Sequence, residues 1–242
     1  LLMNKLSIIL FSTLFLFSCA KTYAKRPEDI KSYPIVEIKS CIMEELFYGN
    51  VDFANPKTRS SLQQLKDGGV AILIPALWPE EEYEKTEQSV KSYKSDDLLK
   101  QSEIFKDLPV KYPDDFYIIT TLDQIKNLRI DKIGLIGAIE NVGGLFNKNS
   151  KTFDDSIKMF EQIITNTGRL FYVSLTWKHE TMLGGGDETE IGLKDWGKKF
   201  LQYLSGRNKK EKYDIALDFS HSSDNLVKEA IAYIDDNNLD IQ

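Results

Sequence analysis

Four apolar runs constrain this chain more than any other feature: "VAILIPAL" at 70–77, "KIGLIGAIE" at 132–140, "RLFYVSLTW" at 169–177 and "YDIALDF" at 213–219. A strand with one wet face alternates apolar and polar residues. A run that is apolar at nearly every position belongs to a strand covered on both faces, the condition of a parallel sheet flanked by helices. Helical patterns separate these runs at 152–168, where Gly168 follows the last apolar residue, at 193–205 and at 222–236. From residue 132 the order is strand, helix, strand, helix, strand, helix, which is that of a parallel α/β chain. Upstream, "PIVEI" (34–38) predicts a short strand, 58–67 a helix stopped by Gly68-Gly69, and 79–108 one long polar helix opening with Glu80-Glu81-Glu82 after Pro79. A strand at 117–120 and a helix with Thr121 as N-cap follow.

The 242 residues suffice for one sizeable domain. A net charge of −6 with both signs interspersed offers no basic face, which excludes a nucleic-acid partner. The first residues predict export. "LLMNK" is a short basic region, "LSIILFSTLFLF" is too short for a comfortable membrane span, and Leu16-Phe17-Ser18-Cys19 resembles a bacterial lipoprotein cleavage box. Residues 1–19 then form a signal peptide, Cys19 carries lipid, and 20–33 are a polar tether to the domain at 34–242. This places the protein at the bacterial cell envelope, held at the membrane by its lipid anchor. A plain secretory signal, leaving a secreted or periplasmic protein, is the alternative. Within the domain Cys41 has no partner for a disulfide or a Cys-x-x-Cys metal pair, and it reads as a buried small residue.

Polar residues collect where the apolar runs end. Glu140 closes one, Thr176 and Trp177 another, and Asp218, Ser220 and His221 the last. In a parallel barrel these carboxyl ends share one rim, where chemistry is placed, so Glu140 and His221 are the candidate site. Each residue also has a plainer reading. Glu140 can cap its loop, His221 can sit in the first turn of a helix capped by Ser220 or Ser222, and Trp177 can be a packing residue. His179 reads as solvated between Lys178 and Glu180. Gly184-Gly185-Gly186 reads as a flexible loop that lacks the strand-to-helix setting of a phosphate cradle.

Four stretches in order, "IGAIENVGGL", "YVSLTWKHETMLGGG", "GLKDWGKKFLQYLS" and "IALDFSHSSDNLVKEAI", resemble the membrane dipeptidase (renal dipeptidase) family of zinc peptidases. The resemblance runs from about Pro34 to the end. It implies a TIM-type (β/α)8 barrel, two zinc ions, and hydrolysis of a dipeptide substrate by a metal-activated water. Carried over by position, Glu140 matches the carboxylate bridging the metals, His221 matches a histidine ligand, and Trp177 stands where many members place a substrate-contacting histidine.

The chain departs from that pattern at the first strand, where the family carries His-x-Asp. Here Lys39 and Cys41 take those places. An ammonium has no lone pair to offer, and a dication repels it. Cys41 could ligate zinc as a thiolate but has no histidine beside it. A later Ser-His-Ser, and the Arg and Asp beyond it, have no counterpart before "NNLDIQ". Two ligands cannot hold zinc tightly, so the expectation is an incomplete barrel of about five or six strands, inactive alone. Its open edge would be covered by a dimer partner or by a second chain. The alternative is a non-catalytic envelope lipoprotein that binds peptides or a partner protein.

Overall fold

The computed structural model describes residues 34–49, 51–83, 90–146, 152–211 and 214–242. The expected signal peptide, Cys19 and the tether lie outside the described residues, except that the domain begins at Pro34 as read. Each predicted apolar run is a strand: β1 (Ile35–Ser40), β2 (Val70–Leu77), β5 (Phe116–Ile118), β6 (Ile133–Leu135), β7 (Gly137–Ile139), β8 (Leu170–Ser174) and β9 (Ala216–Asp218). All pair in parallel. The run at 132–140 is one lane in two pieces. Its β6 half pairs with β2 and β5, and its β7 half pairs with β2 and β8. The lanes therefore run β1, β2, β6 with β7, then β5 and β8, then β9.

The doubly apolar character of β2 has a direct cause. Ile72 and Ile74 face the inside of the curled sheet with Ile119, Ile136, Ala138 and Tyr172, while Leu73 and Leu77 face the helices. The outer layer is made by α1 (Ile42–Phe47), α2 (Leu62–Asp67), α3 (Ser95–Lys111), α4 (Leu122–Lys126), α5 (Phe153–Thr167), α6 (Asp195–Asn208) and α7 (Asp224–Asp236). Its largest cluster joins Phe146, Phe160, Ile163, Val173, Phe200, Leu204 and Leu226, all buried. Capping fixes several helix starts. Ser61 and Thr121 each form a reciprocal box with a glutamine three residues on, and Thr152 accepts from the Asp155 N–H.

The expected helix over 79–108 is corrected. Its first part is instead an antiparallel hairpin, β3 (Glu81–Tyr83) with β4 (Val90–Tyr93), and the helix occupies 95–111. The helix begins where Asp96 and Asp97 fill its first turn, and it runs through Pro109 to Lys111. The helix expected at 58–67 starts only at Leu62, because Ser61 takes the extended conformation of a cap.

Among the described residues the sheet does not close. β1 pairs only with β2 and β9 only with β8, which agrees with the expected incomplete barrel. On β1, Val36 and Ile38 are 44% and 54% exposed. Beside β9, the Leu217 N–H donates to the Gln242 carbonyl at 2.8 Å. Among the described residues no helix is long and apolar enough to cross a membrane.

One polar clasp fastens the loop after α1 to the end of α3. The Asp52 carboxylate accepts from the Lys111 ammonium at 2.7 Å, from the Ala54 N–H at 2.8 Å and from the Tyr112 hydroxyl. These bonds lower its pKa from 3.8 to about 2, the Lys111 and Tyr112 hydrogen bonds leading. A carboxyl depressed by folding stabilises the native state above its unfolded pKa, and that contribution is lost as pH falls through the folded one. Acid unfolding should therefore steepen between about pH 4 and about pH 2. Asp52→Asn should flatten that interval in urea-melt midpoints measured across it; an unchanged slope would deny the clasp.

Candidate functional site

The carboxyl ends of β1, β7 and β9 bring four charged side chains together. Lys39, near the end of β1, places its Nζ 3.4 Å from Glu140 Oε1 and 3.9 Å from Asp218 Oδ2. Glu140 follows β7, and its N–H donates to the Leu77 carbonyl at 2.9 Å, which holds it against β2. Its side chain is 11% exposed, against 29% for Lys39. The other Asp218 oxygen accepts from the Ser220 N–H at 2.9 Å and hydroxyl at 2.7 Å, fixing which oxygen faces Lys39. His221 reaches the same Glu140 oxygen through Nε2 at 3.1 Å, and its Nδ1 lies 3.2 Å from Asp187 Oδ2. Both carboxylates can only accept, so the imidazolium form serves both while the neutral ring serves one at a time. The result is a chain of contacts, Asp218–Lys39–Glu140–His221–Asp187, across the rim.

The backbone is bent to make this chain. Lys39, Asn141 and His221 have φ of 64°, 64° and 62°, in the left-handed region that costs a residue bearing a Cβ on the order of 1 kcal/mol. The bends are held by neighbours. Thr176 Oγ1 donates to the His221 carbonyl at 3.1 Å, and the Asn141 N–H donates to Ser174 Oγ at 2.9 Å. Helix α7 is capped by Ser223 rather than by Ser220 or Ser222, because the left-handed turn at His221 carries the chain one residue further before the helix starts. Ser223 Oγ accepts from the Leu226 N–H and donates to the Ile191 carbonyl.

Three sequence expectations change here. Gly184-Gly185-Gly186 is not a loose loop but is buried and tightly packed. The Gly186 N–H donates to the His179 carbonyl, and a Cβ on Gly186 would stand 2.1 Å from the Trp177 carbonyl oxygen. That close approach lets the next residue, Asp187, reach His221. His179 is half-buried rather than solvated, with Nε2 3.7 Å from Glu188 Oε2. Cys41 is exposed and precedes the first residue of α1 rather than lying in the core. Partial desolvation of its thiol, with the nearby Glu140 carboxylate, pushes it above its ordinary pKa of 9.0, away from a reactive thiolate.

Beside the charged chain lies a cavity of about 180 Å³ lined by Cys41, Glu44, Ala76, Trp78, Glu140 and Trp177. The two indoles meet edge to face, with centroids 5.2 Å apart and planes at 79°. Trp78 is set by Gln101 of α3, whose side chain accepts from the Trp78 N–H and donates to its carbonyl. Trp177 also carries the Lys178 ammonium 4.6 Å over its ring. At the inner end of the rim, Tyr172 is buried. Burial and the Glu140 and Asp218 charges hold its phenol well above the ordinary range, so it stays protonated. Sequence reasoning singled out Glu140, His221 and Trp177, and the structure sets all three around one opening. It missed Asp187, Trp78 and Tyr172. Trp78 was open to discovery, since it directly follows β2 just as Trp177 follows its own strand run.

Known structures of the same shape add the class. The fold is that of barrel-type metal-dependent hydrolases. A dipeptidase described as a metallopeptidase of family M19 superposes with a TM-score of 0.60 at 14% identity, over 83% of this chain and 60% of its own. The probable dipeptidase PvdM from Pseudomonas aeruginosa gives 0.58 at 10%, over 85% and 51%. An amidohydrolase from Pseudomonas aeruginosa gives 0.54 at 14%, over 84% and 50%. The chain thus spans half to three-fifths of their length, and at these identities the likeness is one of fold. No family model matches the sequence, and no curated protein does.

The residues present do not fit a metal centre of the kind those hydrolases imply. Among the described residues no group of three or more His, Cys, Asp and Glu is placed to hold a metal ion. The Glu140 oxygen that would donate to one already faces an ammonium and an imidazole.

If Lys39 supplies the charge that balances this rim, Lys39→Met should cost roughly 1–3 kcal/mol, the range for leaving a largely buried carboxylate without its partner. The backbone term cancels, since both residues carry a Cβ at the same φ. Lys39→Arg should retain most of that stability. Urea midpoints at constant m read the difference, and equal losses for both variants would assign it to packing.

Proposed function

We propose that this chain keeps the ligand-binding rim of a barrel dipeptidase and has exchanged metal-assisted hydrolysis for metal-free binding. In this reading it is a non-catalytic protein of the bacterial cell envelope, anchored through lipid on Cys19, that holds a peptide-like ligand. The observation that carries the reading is the Lys39 ammonium, 3.4 Å from the oxygen of Glu140 that would otherwise face a metal. A dication about 4 Å from that ammonium would be repelled by roughly 8 kcal/mol at an effective dielectric constant of 20. Zinc could enter only after Lys39 swung out or lost its proton. The two remaining positional ligands, Glu140 and His221, fall short of the three or four that a zinc site uses.

The test is elemental analysis of the purified chain beside a dipeptide hydrolysis assay. The expected result is substoichiometric zinc and no turnover, with added zinc changing neither. The double substitution Lys39→His with Cys41→Asp should raise zinc affinity at least tenfold, because it removes the repelling charge and adds two donors beside Glu140. Stoichiometric zinc with hydrolysis by the native chain would overturn the reading. The exposed Val36 and Ile38 on the unpaired edge of β1 favour one competing account, a barrel completed by a second polypeptide. Zinc binding and turnover that arise only when such a chain is added would establish that account instead.

A further inference from the structure

We propose that the rim cavity takes a small organic ammonium ion, recognised by the corner of Trp78 and Trp177 and by the carboxylate of Glu44. This rests on the metal-free reading above and names the chemistry of the ligand. Charge comes first. Glu44, Glu140, Asp187 and Asp218 lie at the rim, and Lys39 is the ammonium set among them. Lys39 is committed to Glu140 and Asp218, and His221 to Glu140 and Asp187. Glu44 is exposed in the cavity wall and has no ion pair among the described residues. A ligand entering the cavity therefore meets a surplus of negative charge, and one carboxylate not yet spoken for.

Shape and aromatic chemistry select among cations. Two indole planes at 79° form two walls of a corner, the arrangement in which an ammonium group lies over one ring and against the edge of another. The Lys178 ammonium 4.6 Å over Trp177 shows that this ring accepts a positive charge. A hydrated inorganic cation gains little from an indole wall. An alkylammonium gains from both its charge and its apolar stem, and Ala76 completes an apolar floor. The cavity of about 180 Å³ suits a group of a few heavy atoms. Two sources share this chemistry, a free amine and the amino end of a short peptide.

The experiment is a tryptophan-fluorescence and calorimetric titration of the full chain in chelator. The probes are n-butylammonium, the dipeptide amide Ala-Ala-NH2 and its N-acetyl counterpart. The expected result is binding of the two amines and at least tenfold weaker binding of the acetylated peptide. Tighter binding of the dipeptide amide than of butylammonium identifies a peptide amino end; equal binding identifies a free amine. Glu44→Gln, at an exposed position that should not disturb folding, should weaken the amines about tenfold, and Trp78→Phe should weaken them several-fold. Acetylated and free peptide bound equally, or no amine bound at millimolar concentration, would overturn the proposal. Because metal is chelated throughout, that failure is separate from failure of the metal-free reading, which zinc content alone decides.

Discussion

A single ammonium joins the two edges of this open sheet. Lys39 stands on β1 and Asp218 on β9, the lanes that have no strand between them among the described residues, and Lys39 meets Asp218 and Glu140 at the rim. Strand pairing cannot bring these edges together. Electrostatics does so across the mouth of the curl, in a setting shielded enough for charge to count, since Glu140 is largely buried. Remove that ammonium and the carboxylates that converge on it lose the charge that makes their convergence tolerable. The other contacts of the rim, from His221 to Asp187, are organised around the same Glu140 oxygen.

Convergence has a backbone cost, and the site carries it openly. Three of the four described residues other than glycine with positive φ are Lys39, Asn141 and His221, each at the carboxyl end of a different lane. Such bends persist only where surroundings over-determine them. Here the restraints are specific: Thr176 on the His221 carbonyl, Ser174 on the Asn141 N–H, and the glycine run that lets the 184–187 segment press against Trp177. A rim retained only as a structural remnant would have little reason to keep three strained turns aimed at one carboxylate.

How much of this was open to reading from the sequence depends on the length scale of each interaction. The parallel α/β order, the strand positions and the caps at Thr121 and Thr152 follow from local pattern, and the structure has them. Burial on both faces writes itself into "VAILIPAL" because both faces of β2 are covered. The hairpin at 81–93 was missed because polar, helix-favouring composition says nothing of the antiparallel pairing that competes with it. Lys39 illustrates the hardest case. From sequence it marked a missing ligand, an absence. In three dimensions it is a contact, because β1 and β7 are separated by β2 in the sheet and only curvature brings their ends within 3.4 Å. Asp187 is subtler still, since nothing local distinguishes it and only the packing of Gly186 points it at His221.

The division between rim and interior explains how such a fold can change its chemistry without losing its shape. Beneath the charged layer, Ile72, Ile74, Ile119, Ile136 and Ala138 pack into a dry interior, and outside it the helices bury a larger cluster around Phe160 and Phe200. Neither set touches the identity of the cation at the mouth. An ammonium on β1 and a metal bound there would neutralise the same carboxylate from the same side, but they differ in what they permit next. A metal keeps open coordination positions for water and substrate, whereas an ammonium saturates its partners and leaves none. What the exchange leaves accessible is the adjoining space, walled by Trp78 and Trp177 and bordered by Glu44. Selection on a rim of this kind acts through what that space holds, and its walls are aromatic and acidic, the combination suited to positive charge on an organic frame.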